Sequence, residues 1–147
     1  RLVSVGSHFV SGNGAIQLWD LTSKQIIKTF DEYSVSPLAV VFSPNEKLAA
    51  VTSANQIVQI VDTNSGQILH TLEGGMPLAF SPDGKSMAFS RKDYFLVVNT
   101  ESEGFPQIAD FPCSGVSAIA FSQDGSTIAF GGDECDLQLR DIHLFWL

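Results

Sequence analysis

The chain has 147 residues, of which 44% are apolar and 16% charged; this is one ordinary domain's length, too apolar and too lightly charged for a disordered polypeptide. Eight Lys and Arg stand against sixteen Asp and Glu, a formal net charge of −8, and an acidic surface repels phosphate backbones, which argues against nucleic acid as a partner. Apolar runs such as Leu38-Ala39-Val40-Val41-Phe42 reach about five residues, far short of the ~20 of a membrane-spanning helix, so a soluble chain without membrane contact is expected.

The chain starts on Arg1 with no charged-then-apolar leader, which suggests a start inside something longer. The first unit carries Leu18-Trp19-Asp20 and a short alternating run, Ile26 to Phe30. Either Leu2 to Val5 or Phe9 to Ser11 can be its second strand; the later segment is preferred, because Gly6 then matches Gly84. The next unit reads as strands over Leu38 to Ser43, Leu48 to Ser53, Ile57 to Asp62 and Ile68 to Leu72. A third follows over Met76 to Ser81, Ser86 to Ser90, Tyr94 to Asn99 and Gln107 to Phe111. The last has Val116 to Ser122, Thr127 to Gly131 and Leu137 to Asp141, with residues 142–147 as a closing fourth strand. The third strand of each set is aliphatic or β-branched, as buried strands are, and the fourth alternates apolar with polar, as an outer edge does. Pro-Asn, Pro-Asp-Gly and Gln-Asp-Gly supply turn chemistry after each first strand.

Two phrases keep step through these units. Phe42-Ser43-Pro44-Asn45, Phe80-Ser81-Pro82-Asp83-Gly84-Lys85 and Phe121-Ser122-Gln123-Asp124-Gly125 are spaced 38 and 41 residues apart. Ile60-Val61-Asp62, Val97-Val98-Asn99 and Leu139-Arg140-Asp141 follow the phenylalanines at offsets of 20, 19 and 20 residues, to Asp or Asn. Four antiparallel strands at a period of about forty residues is the pattern of a β-propeller blade. The fold expected is all-β: a partial β-propeller of four-stranded antiparallel blades. Approximate units are 1–36 (partial), 37–75, 76–115 and 116–147, together one incomplete propeller segment over 1–147.

On Leu18-Trp19-Asp20 and the Phe-Ser-Pro-Asp-Gly-Lys phrase, nearly the whole chain resembles a WD-repeat β-propeller with divergent repeats. Val61, Val98 and Arg140 replace the Trp, Asn99 replaces one Asp, and the family's Gly-His pair is absent, His70 lying in an outer strand. The family's turn Asp falls at Asn13, Asn55, Lys92 and Glu134. The resemblance therefore implies blades without the family's buried His-Ser-Asp-Trp network, held by apolar packing with no polar network to lock them. About three and a half blades, against the ~4–8 of a closed propeller, imply a fragment whose open edges need the remaining blades or a second copy.

No catalytic constellation emerges. His8, His70 and His143 sit in different units without metal-ligand spacing. Asp133-Glu134-Cys135-Asp136 is dense in acid but falls in a tight turn, where carboxylates are solvated. Gly12-Asn13-Gly14 and Gly74-Gly75 open no helix and read as turns. The Phe-Ser serines recur in every complete unit, which marks architecture, because a nucleophile is needed once. Two cysteines, Cys113 and Cys135, are too few for a disulfide scaffold and suit a reducing compartment; Cys135 lacks a basic neighbour and reads as an idle thiol. No catalytic residue, metal or cofactor is expected, and the chain is not expected to be an enzyme.

What remains is surface. In a propeller the second-to-third turns share one rim with the loops that lead from a fourth strand to the next first strand. That rim would collect Tyr33, Asn55, Arg91, Lys92, Asp93, Asp133 and Glu134, with Tyr and Arg the types that most often anchor protein interfaces. The expected function is a non-enzymatic, cytoplasmic scaffold that binds a protein or peptide on this rim. It could be the sensor end of a larger signalling protein. The rivals are a propeller enzyme whose site lies outside this segment and a degenerate inactive fragment.

Overall fold

The computed structural model describes residues 2–7, 14–30 and 37–142, and these form fourteen strands, with no helix among the described residues. In chain order they are β1 (Leu2–Ser7), β2 (Gly14–Asp20), β3 (Gln25–Phe30), β4 (Pro37–Phe42), β5 (Leu48–Ser53), β6 (Ile57–Asp62) and β7 (Ile68–Glu73). β8 (Gly75–Phe80), β9 (Ser86–Arg91), β10 (Tyr94–Asn99), β11 (Gln107–Pro112), β12 (Val116–Phe121), β13 (Thr127–Gly132) and β14 (Cys135–Asp141) follow. Each sheet is an antiparallel meander: β1-β2-β3, β4-β5-β6-β7, β8-β9-β10-β11 and β12-β13-β14. The repeated phrases occupy matching places. Phe42, Phe80 and Phe121 close β4, β8 and β12, and Asp20, Asp62, Asn99 and Asp141 close β2, β6, β10 and β14.

The first sheet corrects one expectation. β1 pairs along β2 from Leu2 opposite Trp19 to Ser7 opposite Gly14, so the earlier candidate is the second strand of that unit. Spacing misled because the connection length varies: residues 8–13 separate β1 from β2, but only 54–56, 92–93 and 133–134 separate the later pairs. Register follows side-chain alternation, and loops of different length leave it intact. Phe9 to Ser11, with His8, Gly12, Asn13, Tyr33, His143 and the expected closing strand beyond Ile142, lie outside the described residues.

The chain packs as two compact units, the first holding residues up to Phe42 with Glu46–Glu73 and the second Ser43–Asn45 with Gly74–Leu147. In the first, Leu18 of β2 meets Val51 and Val61, with Ile27, Val40 and Phe42 packed around them. In the second, Phe95, Val97, Ala109 and Phe111 face Ile128, Phe130 and Ile142, so the third and fourth sheets share one core. Members two apart on a strand are what period-2 alternation places on one face. Central strands are covered on both faces, as Ala49 to Ser53 and Phe95 to Val98 are, which accounts for their unbroken apolar runs.

A polar network is nevertheless present, and it corrects the expectation of purely apolar locking. The Phe-Ser serine hydroxyl donates to the turn residue two places on: Ser43 to Asn45 at 2.7 Å, Ser81 to Asp83 at 2.6 Å, Ser122 to Asp124 at 2.6 Å. The backbone N–H groups of Ser86 and Thr127 donate back to Ser81 and Ser122, both at 2.9 Å. At the strand ends, the Oδ1 of Asp20, Asp62 and Asn99 accepts from the second and third N–H groups beyond it, at 2.7–3.1 Å. Only an acceptor oxygen is used, so Asn serves in place of Asp. The next residue then ties this turn to the first hairpin, through Thr63 N to Lys47 O, Thr100 N to Lys85 O and Ile142 N to Ser126 O, at 2.9–3.0 Å. The sheets are therefore held by a polar network built at the turns as well as by apolar packing.

These bonds predict a titration. The Ser122 hydroxyl first, then the Ser126 N–H and hydroxyl, hold the Asp124 carboxyl down to about 2 from 3.8. A lowered carboxyl supports the fold fully above its unfolded value and loses that support as pH falls from 3.8 towards 2. Ser122→Ala is expected to raise the Asp124 pKa towards 3.8 in a side-chain NMR titration. An unmoved midpoint would show that the hydroxyl is not the cause.

Candidate interaction rim

The turns between second and third strands carry most of the predicted site residues. Asn55 is exposed in the first unit, and its side-chain oxygen accepts from the Ser53 hydroxyl at 2.6 Å. That bond makes Asn55 a turn former as much as a contact residue. The other five described residues belong to the second unit, and the structure brings them to one end of it. Arg91 closes β9, and its guanidinium lies 5.9 Å from the ring centre of Tyr94, within cation–π range. Lys92 and Asp93 form the exposed two-residue turn; Lys92 takes a left-handed φ of 48°. Their ammonium and carboxylate stand 3.9 Å apart with both side chains mostly in solvent, so the pair adds little rigidity. Asp133 and Glu134 form the corresponding exposed turn between β13 and β14.

The segment between β11 and β12 holds these two turns together. Cys113 N donates to Asp93 O at 2.9 Å, and Asp133 N donates to Gly115 O at 3.2 Å. The approach is close enough that a Cβ on Gly132 would collide with the Gly115 carbonyl. Cys113 and Cys135 add a covalent link: they form a disulfide, with Cα atoms 5.5 Å apart at a sequence separation of 22. This overturns the reading of Cys135 as an idle thiol. Distance along the chain says nothing about distance across two packed sheets.

The rim therefore offers an Arg–Tyr pair beside a mixed, acid-rich edge on backbone pinned by two hydrogen bonds and a disulfide. Tyr94 was not anticipated as a site residue, although an aromatic three positions from an Arg across a two-residue turn was a usable signal. The opposite ends of the same strands form a cleft of about 310 Å³ between the Ser81–Ser86 and Asp124–Gly125 turns, bordered by Glu101 and Ile142. Burial raises the Asp83 pKa, but the Ser81 hydroxyl, the Lys85 N–H and the Lys85 charge outweigh it and leave the carboxyl below its usual value. The carboxylates Asp83 and Asp124 are committed to their turns, and Lys85 lies 3.7 Å from Glu101.

Residues 106–141 match the family described as WD domain, G-beta repeat. The match runs from β11 through β14, so the sequence repeat straddles two sheets. WD repeat-containing protein SL1-17 of Schistosoma mansoni is 26% identical over 131 residues, 86% of this chain and 44% of that protein. Protein NEDD1 of Mus musculus is 36% identical over 84 residues, 54% of this chain and 13% of that protein. The chain thus spans less than half the length of these curated relatives. A chain in the crystal structure of the mitotic checkpoint complex superposes with a TM-score of 0.73 at 20% identity, covering 95% of this chain and 46% of that one.

Proposed function

We propose that this stretch of WD-repeat-type β-propeller is a non-enzymatic scaffold that displays the second unit's rim to a protein or peptide partner. The observation that carries the reading is the Arg91–Tyr94 pair standing among exposed Lys92, Asp93, Asp133 and Glu134 on pinned backbone. Rigid display limits the ordering cost of binding, and a desolvated Arg–aromatic anchor supplies most of the affinity. Three carboxylates beside two cations favour a basic partner and steer its approach. A protein role is supported by WD-repeat relatives and by a fold match found within a protein complex. A cytoplasmic location and a place at the sensor end of a larger signalling protein belong to the same proposal; nucleic acid and membrane do not.

The test is binding of a library of basic peptides to the protein that contains this chain. Arg91→Ala is expected to weaken the best binder by about thirty-fold, the ~2 kcal/mol of an interface anchor. Lys85→Ala, at the opposite strand ends, is expected to leave it unchanged. Equal binding by both variants would end the rim reading.

A second surface needs cover. Leu137 and Leu139 are 79% and 65% exposed on one face of β14, with Ala129 opposite Leu139. We propose that a second copy of this chain packs on this face. The 147 residues alone are expected to self-associate in sedimentation, and Leu137→Asp with Leu139→Asp to abolish it. A wild-type segment that stays monomeric at high concentration would remove the second copy from consideration.

A further inference from the structure

We propose that the Cys113–Cys135 bond is a reversible redox clasp on this rim, opened by a dithiol reductant. The bond joins the segment after β11 to the first residue of β14, and therefore one sheet to the next. It is not part of the repeating architecture: the residue after β7 that matches Cys113 is Gly74, and the residues matching Cys135 six places before the strand-ending Asp or Asn are Gln56 and Asp93. Those repeats build the same turns without it. The clasp is an addition placed where the two exposed turns meet.

Access to the two sulfurs is unequal. Cys113 is 4% exposed within the aromatic core, whereas Cys135 is half-buried on the rim. An incoming thiolate therefore reaches Cys135 Sγ, forms a mixed disulfide there and expels Cys113 as a thiolate, which takes up a proton. The second thiol of the reductant then closes on the mixed disulfide, releasing the Cys135 thiolate, which is protonated in turn. Two electrons pass to the protein disulfide and the dithiol leaves as its own disulfide. The neighbouring carboxylates of Asp133, Glu134 and Asp136 repel an anionic monothiol such as glutathione and favour a neutral dithiol. Within a reducing compartment, a disulfide of this kind is a transient sensor. Once it opens, the 113–115 segment keeps its backbone bonds to Asp93 and Asp133 and the packing of Cys113 in the core but loses its covalent tie to β14, and the turn that presents Asp133 and Glu134 is freed to move.

The inference uses the rim reading only for its consequence, and the experiment needs no partner, so each can fail without the other. The protein containing this chain is equilibrated in reduced and oxidised dithiothreitol at varied ratios, with a parallel glutathione series, then alkylated and followed by amide hydrogen exchange. One reversible two-electron transition is expected, with the same midpoint potential in both couples, and dithiothreitol is expected to reach equilibrium at least tenfold faster than glutathione. Exchange is expected to quicken at least tenfold over residues 113–116 and 132–136 on reduction, and to stay unchanged in β10. Two thiols alkylated under the most oxidising buffer, a bond that survives the most reducing one, or identical exchange in both states would overturn the proposal. Cys113→Ser with Cys135→Ser should copy the reduced pattern; should that variant fail to fold, the wild-type titration decides alone.

Discussion

Phe130→Ala is expected to lower the stability of the second unit by about 3–5 kcal/mol, the range for truncating a buried Phe. Phe130 is 1% exposed and comes from β13, whereas its ring partners Phe95 and Phe111 come from β10 and β11. Its ring meets Phe95 edge-on at 4.3 Å between centroids and lies 5.7 Å from Phe111, while Phe95 and Phe111 stack at 4.9 Å. The trio is the aromatic centre of the core that the third and fourth sheets share, and edge-on and offset rings add to what area alone contributes. Truncating Phe130 strips contacts from two partners held by their own strands, so the gap cannot collapse. Against a net domain stability of ~5–15 kcal/mol, the fourth sheet would detach or the unit unfold. Urea unfolding checks this: the midpoint should fall with the slope kept if the whole unit responds. A loss confined to amide protection in β12 to β14 would show that the sheet detaches alone. Phe130→Leu keeps most of the apolar volume and should lose markedly less. A Phe130→Ala midpoint within error of wild type would mean that the trio does not join the sheets.

Much of this architecture was legible because it repeats. A phrase that recurs in step with a second phrase constrains strand order, hairpin turns and even the role of a single serine. Ser81 and Ser122 were read as architectural from recurrence alone, and their hydroxyls bridge the first hairpin in both places. Asn99 looked like a departure and is not, because the turn asks only for an acceptor oxygen. What repetition could not reveal is whatever occurs once. The six residues between β1 and β2 shifted the first hairpin against the match of Gly6 to Gly84. Cys113 and Cys135 meet only because one sheet packs on the next, which no local spacing encodes. Arg91, Lys92 and Asp93 were found together because they are adjacent in sequence; their meeting with Asp133 and Glu134 needed the backbone bonds of the intervening segment.

Gly74→Ala and Gly75→Ala should separate steeply although the residues are neighbours. A Cβ on Gly74 would overlap the Phe89 ring and stand 2.7 Å from the Ser90 carbonyl oxygen, at a φ of +152° that L side chains avoid. Phe89 is 1% exposed and cannot swing aside, and the carbonyl belongs to a paired strand, where Ser90 lies opposite Gly75. Overpacking and an unfavourable φ each cost about 1–3 kcal/mol, so Gly74→Ala is expected to lose about 3 kcal/mol or more. Gly75 has nothing within 4 Å of the position its Cβ would take. There the added methyl restricts the unfolded chain, and Gly75→Ala is expected to be neutral or to gain up to about 1 kcal/mol. Thermal unfolding of the two variants side by side measures the difference. Equal losses would mean that residues 74 and 75 are simply intolerant of side chains. Equal tolerance would mean that the backbone of β9 does not approach Gly74 this closely. Only an opposite response at adjacent positions is accounted for by the close passage of the chain over Phe89 as it enters the second unit.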